Sequence, residues 1–227
     1  MAKRNIQEIE YFVIRSMSRP LAHELKIAHD FKHVDRVRGW AVQIAEGERF
    51  KDLELVEATA LLHDIGLAHV EQRNQHAQVG AEIAVQFLRE KQLFTDQEVD
   101  DIYEAIRCHS SPSGGGRLGE ILRDADKLDA LGAVGIMRAF TSRYENPEYA
   151  PHNVKGDTWG MRMQEFEKRF AVGRGIGDYI LDQVNFQISF FGELRTATAK
   201  RIGEPLVEFM KAYVVQLETE VRCASRF

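Results

Sequence analysis

Apolar residues recur every three or four positions along most of the chain, which is the spacing of one face of an α-helix. Strand-like alternation is scarce, and Asn-Gly and Asp-Gly hairpin dipeptides are missing between the apolar runs. The pattern therefore predicts an all-α fold of eight or nine helices. They are expected over about 5–18, 32–46, 53–63 and 76–91, from Thr95, from near Leu118 with continuation or restart at Gly132, through Ile180–Phe191, and from Pro205 onward.

Several of these predicted helix ends carry residues that favour them. Asp52 is expected to be the N-cap of the helix over 53–63, and Gly66 is expected to end that helix. Thr95 and Glu98 have the spacing of a capping box. Pro205 is expected to begin the last helix, because proline fits the first helical turn.

Two segments interrupt the helical pattern. The sequence SPSGGGR at 111–117 indicates a flexible connector. The segment 141–160 is longer than most connectors, which favours a lid or a binding loop over a plain surface loop. Its aromatic and basic side chains suit the stacking of a base and the pairing of phosphates. The candidate lid residues are Arg143, Tyr144, Tyr149, His152 and Lys155.

Composition limits the classes of protein to which the chain can belong. Its 227 residues with 44% hydrophobic content suit one sizeable domain, and the formal net charge of −5 gives no indication of a broad nucleic-acid-binding surface. The two cysteines fit neither a disulfide framework nor a metal motif. The N-terminal segment lacks the apolar run of a signal peptide, and no segment approaches ~20 apolar residues. We expect a soluble, cytoplasmic protein.

Ionisable residues fall on the apolar faces of five consecutive predicted helices. Burying several such groups without partners is costly, and one metal ion would coordinate and neutralise them together. A single buried histidine is more simply explained by a hydrogen bond to a backbone carbonyl. Six groups on five helices instead favour a metal site: His33, His63, Asp64, His76, His109 and Asp126.

A second His-Asp pair, His29 and Asp30, precedes the helix over 32–46 and follows no apolar helix. Asp30 is expected to be an N-cap. His29 is expected to be a packing or pocket-wall residue rather than a metal ligand.

The segments HDFKHVDRV, EATALLHDIG and LRDADKLDALG together resemble the HD-domain superfamily of metal-dependent phosphohydrolases. The H…HD…D pattern of that family maps onto His33, His63, Asp64 and Asp126, and the resemblance implies that these four residues hold a metal. His76 and His109 match positions that supply ligands to a second ion in two-metal members. The resemblance also implies an HD-domain helical bundle with a C-terminal helical extension.

A nearer resemblance is to a bacterial branch of stand-alone HD hydrolases, some of which are nucleotide pyrophosphohydrolase-like. It rests on DADKLDALGAVGIMRAF, on the following Pro/Tyr-containing loop, and on TATAKRI in the C-terminal part. This resemblance implies one HD-type domain over 1–227. Its core would cover about 20–140, the lid-like loop 141–160 and the C-terminal helices 161–222.

The implied reaction is hydrolysis of a phosphoester or phosphoanhydride in a small phosphorylated substrate, with a nucleotide expected. Imidazole and carboxylate ligands suit one or two ions of Mn, Fe, Co, Ni or Zn, and Mg is also considered. Asp64 is the expected catalytic carboxylate, and Arg36 and Lys127 are the candidates to stabilise phosphate charge. The alternative interpretation of Arg36 and of Lys127 is a solvated side chain at the protein surface.

Two other functions stay open at this point. A minority of HD-fold proteins use six ligands to hold two irons and activate dioxygen, and this sequence can supply that set. A non-catalytic metal-bound module is the third possibility, although the complete ligand set argues against it. The sequence leaves the native metal, the product and the oligomeric state undetermined.

Overall fold

The computed structural model describes residues 4–18 and 30–224, so His29 lies outside the described residues. Within these ranges the chain forms ten α-helices and no β-strand, which confirms the predicted all-α class. Short 3-10 turns lie at Ile65–Ala68, Arg73–Gln75 and Phe190–Glu193. The helices are α1 Ile6–Met17, α2 Phe31–Gly47, α3 Leu53–Leu62, α4 His76–Lys91, α5 Asp96–Arg107, α6 Gly116–Asp129, α7 Gly132–Ser142, α8 Met163–Ala171, α9 Ile180–Ser189 and α10 Ala197–Ala224.

The described chain divides into two compact units. The first contains the residues up to Asp126 together with the short segment Arg195–Thr198. The second contains Lys127–Leu194 and the residues from Ala199 onward. The proposed extent of one HD-type domain over the whole sequence stays a prediction.

Helix α3 lies at the centre of the first unit, where it contacts α1, α2, α4 and α5. Seven of its ten residues are buried, so the helix is apolar on nearly every side rather than amphipathic. The consequence is that the residues directly after it, His63 and Asp64, are also buried. The central apolar helix thus carries the His-Asp pair into the interior of the unit.

The predicted caps at the starts of three helices are present. The side chain of Asp30 accepts a hydrogen bond from the backbone N–H of His33 at 3.0 Å, and Asp52 caps α3 in the same way. Thr95 and Glu98 form the predicted capping box of α5. These caps fix the starts of the helices that surround the site.

The expected role of Gly66 as the residue that ends α3 is wrong. Helix α3 ends at Leu62, and Gly66 lies inside the 3-10 turn that follows. A Cβ at this position would be 2.1 Å from the carbonyl oxygen of His76 and 2.6 Å from the amide nitrogen of Gly80. Gly66 therefore allows the first turn of α4 to lie against the chain that follows the His-Asp pair.

The expected restart of the last helix at Pro205 is also wrong. Helix α10 begins at Ala197, and Pro205 lies inside it. Proline removes one backbone hydrogen bond, but Ala199 before it and Val207, Met210 and Val214 after it are all buried. Burial of apolar side chains on both sides of Pro205 keeps the helix continuous across it.

The segment 143–162 contains no helix and belongs to the second unit. The predicted loop over 141–160 therefore begins two residues later than expected, because Thr141 and Ser142 belong to α7. Backbone hydrogen bonds from Ile180 to Pro147 and from Leu181 to Glu148, each 3.0 Å, attach it to the start of α9. Over the described residues, no helix has the length and apolar character needed to cross a bilayer.

Candidate metal centre

Four predicted ligands, His33, His63, Asp64 and Asp126, come together in the first unit. The Oδ2 atom of Asp64 lies 3.4 Å from His33 Nε2 and 3.5 Å from His63 Nε2. Asp126 Oδ1 lies 3.5 Å from His33 Nε2. The two histidines and Asp64 are buried, and the side chain of Asp126 is 35% exposed. Asp126 is therefore the member of this group that faces the solvent side.

The other oxygen of Asp64 faces a second pair of imidazoles. Asp64 Oδ1 lies 3.6 Å from His76 Nε2 and 3.6 Å from His109 Nε2. The two Nε2 atoms are 3.1 Å apart. One carboxylate thus separates two groups of ligand atoms, with one oxygen directed to each group.

Three of the histidines are oriented by the same local hydrogen bond to the backbone. Each ring places Nδ1 against the backbone carbonyl three residues earlier, at 2.8 Å for His63, 2.5 Å for His76 and 2.6 Å for His109. A ring nitrogen facing a carbonyl oxygen must carry the proton and donate it, so Nε2 keeps its lone pair. The helix turns that supply these carbonyls therefore set both the orientation and the tautomer of a metal-ligating imidazole.

The spacing of the ligand atoms fits bound cations. Atoms that share one ion at ~2.1 Å are ~3.0 Å apart at right angles and ~3.4 Å apart in a tetrahedron. The separations of 3.4–3.6 Å around Asp64 lie close to these values. In addition, His63 Nε2 is buried with no hydrogen-bond partner among the described residues. A cation would satisfy that lone pair, and so the residues fit the group that the fold family implies.

The electrostatics of the site keep these groups in their ligating forms. Burial lowers the pKa of His63 to about 4 and also lowers the pKa of His76. Burial would lower the pKa of His109 as well, but the adjacent Asp64 raises it. Burial opposes ionisation of Asp126, yet the neighbouring His33 and His63 rings bring its pKa down to about 2. Near neutral pH, the imidazoles of His63 and His76 are therefore neutral, with a lone pair for a metal ion, and the carboxylate of Asp126 is ionised.

The two basic residues predicted to meet phosphate, Arg36 and Lys127, belong to different units. Arg36 is half-buried on α2, one turn after His33. Lys127 is half-buried, follows Asp126 on α6 and is the first residue of the second unit. Their catalytic roles stay predictions.

The predicted lid residues all lie in the second unit, where the hydroxyl of Tyr144 donates a hydrogen bond to Glu145 at 3.0 Å and both Arg143 and Lys155 have partners. Arg143 donates a hydrogen bond to the carbonyl of Gly177 at 2.8 Å, and Lys155 pairs with Glu218 at 2.8 Å. A phosphate would have to compete with those partners. Tyr144 and His152 are exposed, and Tyr149 is half-buried.

Sequence reasoning missed Asp124, a fully buried carboxylate two residues before Asp126. It accepts hydrogen bonds from the backbone N–H of Arg195 at 3.0 Å and from the N–H and hydroxyl of Thr196, both at 2.7 Å. These bonds attach the segment Arg195–Thr198 to the first unit. The signal in the sequence was the LRDAD doublet, because residues two apart on a helix point about 200° apart.

Residues 30–131 match the family model described as HD domain. This match covers all six clustered residues, from His33 to Asp126, and it confirms the resemblance drawn from the sequence.

Similarity to HD proteins extends beyond the HD domain to nearly the whole chain. Uncharacterized protein YpgQ of Bacillus subtilis is 28% identical over 219 residues, which is 92% of each chain. A predicted HD superfamily hydrolase from an uncultured Thermotogales bacterium has a crystal structure that is 27% identical and superposes with a TM-score of 0.64, over 96% of this chain and 93% of that one. The crystal structure of YpgQ in complex with ADP is 26% identical with a TM-score of 0.64, over 95% and 94% of the two chains.

Proposed function

We propose that this chain is a metal-dependent phosphohydrolase that cleaves a phosphoester or phosphoanhydride bond in a nucleotide. The observation that carries the proposal is the position of Asp64, whose two oxygens face two separate groups of imidazoles. A carboxylate between two cation positions is the arrangement that a bimetallic hydrolytic site needs. The similarity to HD superfamily hydrolases supports the same reaction class.

The first cation position would be held by His33, His63, Asp64 and Asp126, and the second by Asp64, His76 and His109. The mixed nitrogen and oxygen donors suit Mn, Fe, Co, Ni or Zn. Mg, a harder cation that prefers oxygen ligands, is the alternative. When bound, such ions activate a water molecule and neutralise phosphate charge.

The chain's own residues would bind and orient the substrate. Asp64 is proposed as the catalytic carboxylate, since it lies between the two ligand groups and fixes their separation. Arg36 and Lys127 are proposed to pair with phosphate oxygens and to stabilise the charge that develops on them. Both side chains are half-buried.

The choice of a nucleotide is supported by two separate observations. YpgQ, a relative over nearly the full length, has been crystallised in complex with ADP. The segment 141–160 of this chain also places exposed aromatic and imidazole side chains next to basic ones, a mixture that suits a base and its phosphates. The proposed substrate class is therefore nucleoside di- or triphosphates.

The test is a screen of nucleoside mono-, di- and triphosphates with Mn, Mg, Co and Ni, in which phosphate and pyrophosphate are measured separately. Asp64→Ala should abolish turnover. Asp101→Ala, which removes an exposed carboxylate of α5, should behave as wild type. Metal-loaded protein that hydrolyses none of these compounds, or an Asp64→Ala variant that keeps full turnover, would refute the proposal.

A second function, a di-iron oxygenase, is favoured by one feature. All six residues of the six-ligand pattern are brought together within the first unit. Such an enzyme would retain two irons per chain after purification under reducing conditions and would consume dioxygen with a suitable organic substrate. A protein that consumes no dioxygen when loaded with iron, yet releases phosphate with Mn, would exclude this alternative.

A further inference from the structure

Ser110 lies directly beside the second group of ligand atoms. Its Oγ is 3.2 Å from His109 Nε2 and 3.4 Å from His76 Nε2. Both histidines are buried, whereas Ser110 is exposed. The hydroxyl therefore lies on the solvent side of the imidazole pair, at a position from which it reaches both ring nitrogens.

We propose that Ser110 Oγ is a ligand of the second cation, which completes a site made by Asp64 Oδ1, His76 Nε2 and His109 Nε2. This inference rests on the two-ion form of the proposed function. Ser110 Oγ would be an additional oxygen ligand on the exposed side of the second cation position. The H…HD…H…H…D pattern contains no residue for this ligand.

The distances around Ser110 support a shared ion. Ligand atoms at ~2.1 Å from one cation are separated by ~3.0–3.4 Å. The three separations among Ser110 Oγ, His76 Nε2 and His109 Nε2 are 3.1, 3.2 and 3.4 Å. All three atoms can therefore lie at bonding distance from a single point.

The unsatisfied lone pairs of this cluster also favour a bound cation. His76 and His109 each donate from Nδ1 to a backbone carbonyl, so both Nε2 atoms are acceptors in their neutral rings. In these neutral forms the two Nε2 lone pairs face each other 3.1 Å apart, and neither nitrogen can donate a hydrogen bond to the other. The single hydroxyl proton of Ser110 can be given to only one of them at a time. A cation between the three atoms would accept all of these lone pairs at once.

The loop that carries Ser110 is held in place by contacts outside the cluster. The amide of Ser111 donates to the carbonyl of Cys108 at 2.9 Å, and Arg123 Nη1 donates to the carbonyl of Gly114 at 2.8 Å. Arg195 donates a further hydrogen bond to the carbonyl of Pro112. The hydroxyl is thus positioned before any ion binds, which reduces the entropy cost of using it as a ligand.

The ligand set predicts the chemistry and the order of binding. The first position has two carboxylates, Asp64 and Asp126, whereas the second shares Asp64 and gains only a neutral hydroxyl. The second ion should therefore bind more weakly than the first. The hydroxyl adds a hard oxygen to two imidazole nitrogens and one carboxylate oxygen, and this mixed set suits Mn²⁺.

The test is a Mn²⁺ titration of the full chain, with free Mn²⁺ followed by electron paramagnetic resonance. Wild type should bind two ions in two steps. Ser110→Ala should weaken the second step by about tenfold and leave the first unchanged. Ser111→Ala, the exposed neighbouring serine, should match wild type. Identical isotherms for wild type and Ser110→Ala would overturn the assignment.

A second variant tests direct bonding without relying on affinity or activity. Ser110→Cys loaded with Co²⁺ should gain a thiolate-to-cobalt charge-transfer band in the near ultraviolet, and Ser111→Cys should not. Absence of the band from Ser110→Cys at two bound Co²⁺ per chain would contradict the proposal. Wild type that binds a single ion would overturn both the Ser110 assignment and the two-ion site. That outcome would not contradict the proposed phosphohydrolase activity, which could use a single ion.

Discussion

Gly66 and His76 are in such close contact that a side chain on Gly66 would collide with the backbone of His76. A Cβ at Gly66 would lie 2.1 Å from the His76 carbonyl oxygen, inside the first turn of α4. This contact places a ligand of the second cation position beside the chain that follows His63 and Asp64. The geometry of the candidate site therefore depends on a backbone approach that only glycine permits at this position.

Replacing Gly66 by Ala should lower both the stability and the metal content of the protein. The clash is with backbone atoms, so α4 must shift, and overpacking of this kind costs roughly 1–3 kcal/mol. Urea unfolding should report the loss of stability, and Mn²⁺ stoichiometry should fall below that of wild type. The matched control is Gly39→Ala on α2, where a Cβ meets no described atom within 4 Å. Alanine should raise helix stability there by ~1 kcal/mol. Equal unfolding curves for the two variants would contradict the role given to Gly66.

Removing Asp64 should remove bound metal and activity together. Its two oxygens face both ligand groups, so Asp64→Ala leaves neither group with its shared carboxylate. The variant should contain less than a tenth of the wild-type metal by elemental analysis. Added Mn²⁺ should no longer raise its Tm, because ligand-linked folding free energy is lost. Asp101→Ala should retain the Mn²⁺-dependent rise in Tm. Full metal content in Asp64→Ala would remove the basis of the proposed function.

The anchor at Asp124 should matter for stability rather than for metal binding. Asp124→Asn replaces one acceptor oxygen with a donor that faces the N–H groups of Arg195 and Thr196. We expect a loss of about 2 kcal/mol or more in the free energy of unfolding, as for other buried groups left without partners. Urea denaturation of the metal-free protein measures this loss, with the exposed Asp101→Asn as control. A loss of less than ~0.5 kcal/mol would show that this anchor contributes little.

A second anchor of the same segment gives a prediction about pH. Glu48 accepts a hydrogen bond from the Thr198 N–H at 2.9 Å, and that bond, together with Arg117, lowers the pKa of the carboxyl. A lowered folded-state pKa means that the unfolded chain binds the proton more tightly. The stabilisation is therefore present above about pH 4.5 and is lost as the pH falls through the lower folded-state value. Unfolding of wild type and Glu48→Gln from about pH 6 to pH 3 should converge toward the acid end. Parallel curves would contradict this assignment.

The sequence was sufficient for the residues whose positions depend on local pattern. The helical spacing of His33 and His76 placed both on buried faces, and the capping box at Thr95 follows from local hydrogen bonding. The apolar character of α3 predicted that His63 and Asp64 would be carried inward. These features depend on contacts between residues three or four positions apart, which a periodic pattern records.

Features that depend on distant parts of the chain could not be predicted in this way. Gly66 looked like a helix stop because no local pattern reveals that α4 approaches it. Pro205 looked like a helix start because the burial of Ala199 and Val207 is set by tertiary packing. The partners of Asp124 lie 71 and 72 positions away, so the sequence around it could not reveal its anchoring role. Ser110 lies in a loop, where side-chain direction follows no period.

The segment 141–160 should determine which phosphorylated compounds are good substrates. Arg143 and Lys155 are held by Gly177 and Glu218, so the part available to a ligand is the stretch between them. Within it, His152 is exposed and Tyr149 is half-buried. Aromatic faces there would stack on a base, an interaction that a small generic phosphoester does not offer.

Shortening the chain at 149–153 should therefore raise KM for the nucleotide substrate about tenfold or more, because a lost stacking contact is worth ~1–3 kcal/mol. The KM for p-nitrophenyl phosphate should change less than twofold, and metal content should be unchanged, since all seven proposed ligands, Ser110 included, lie in the first unit. The point variant Tyr149→Ala should also raise KM more for the nucleotide than for p-nitrophenyl phosphate, but to a smaller extent. Tyr144→Ala, which removes an exposed aromatic ring outside 149–153, is the variant for comparison. Equal effects of the shortening on both substrates would mean that this segment does not recognise the base.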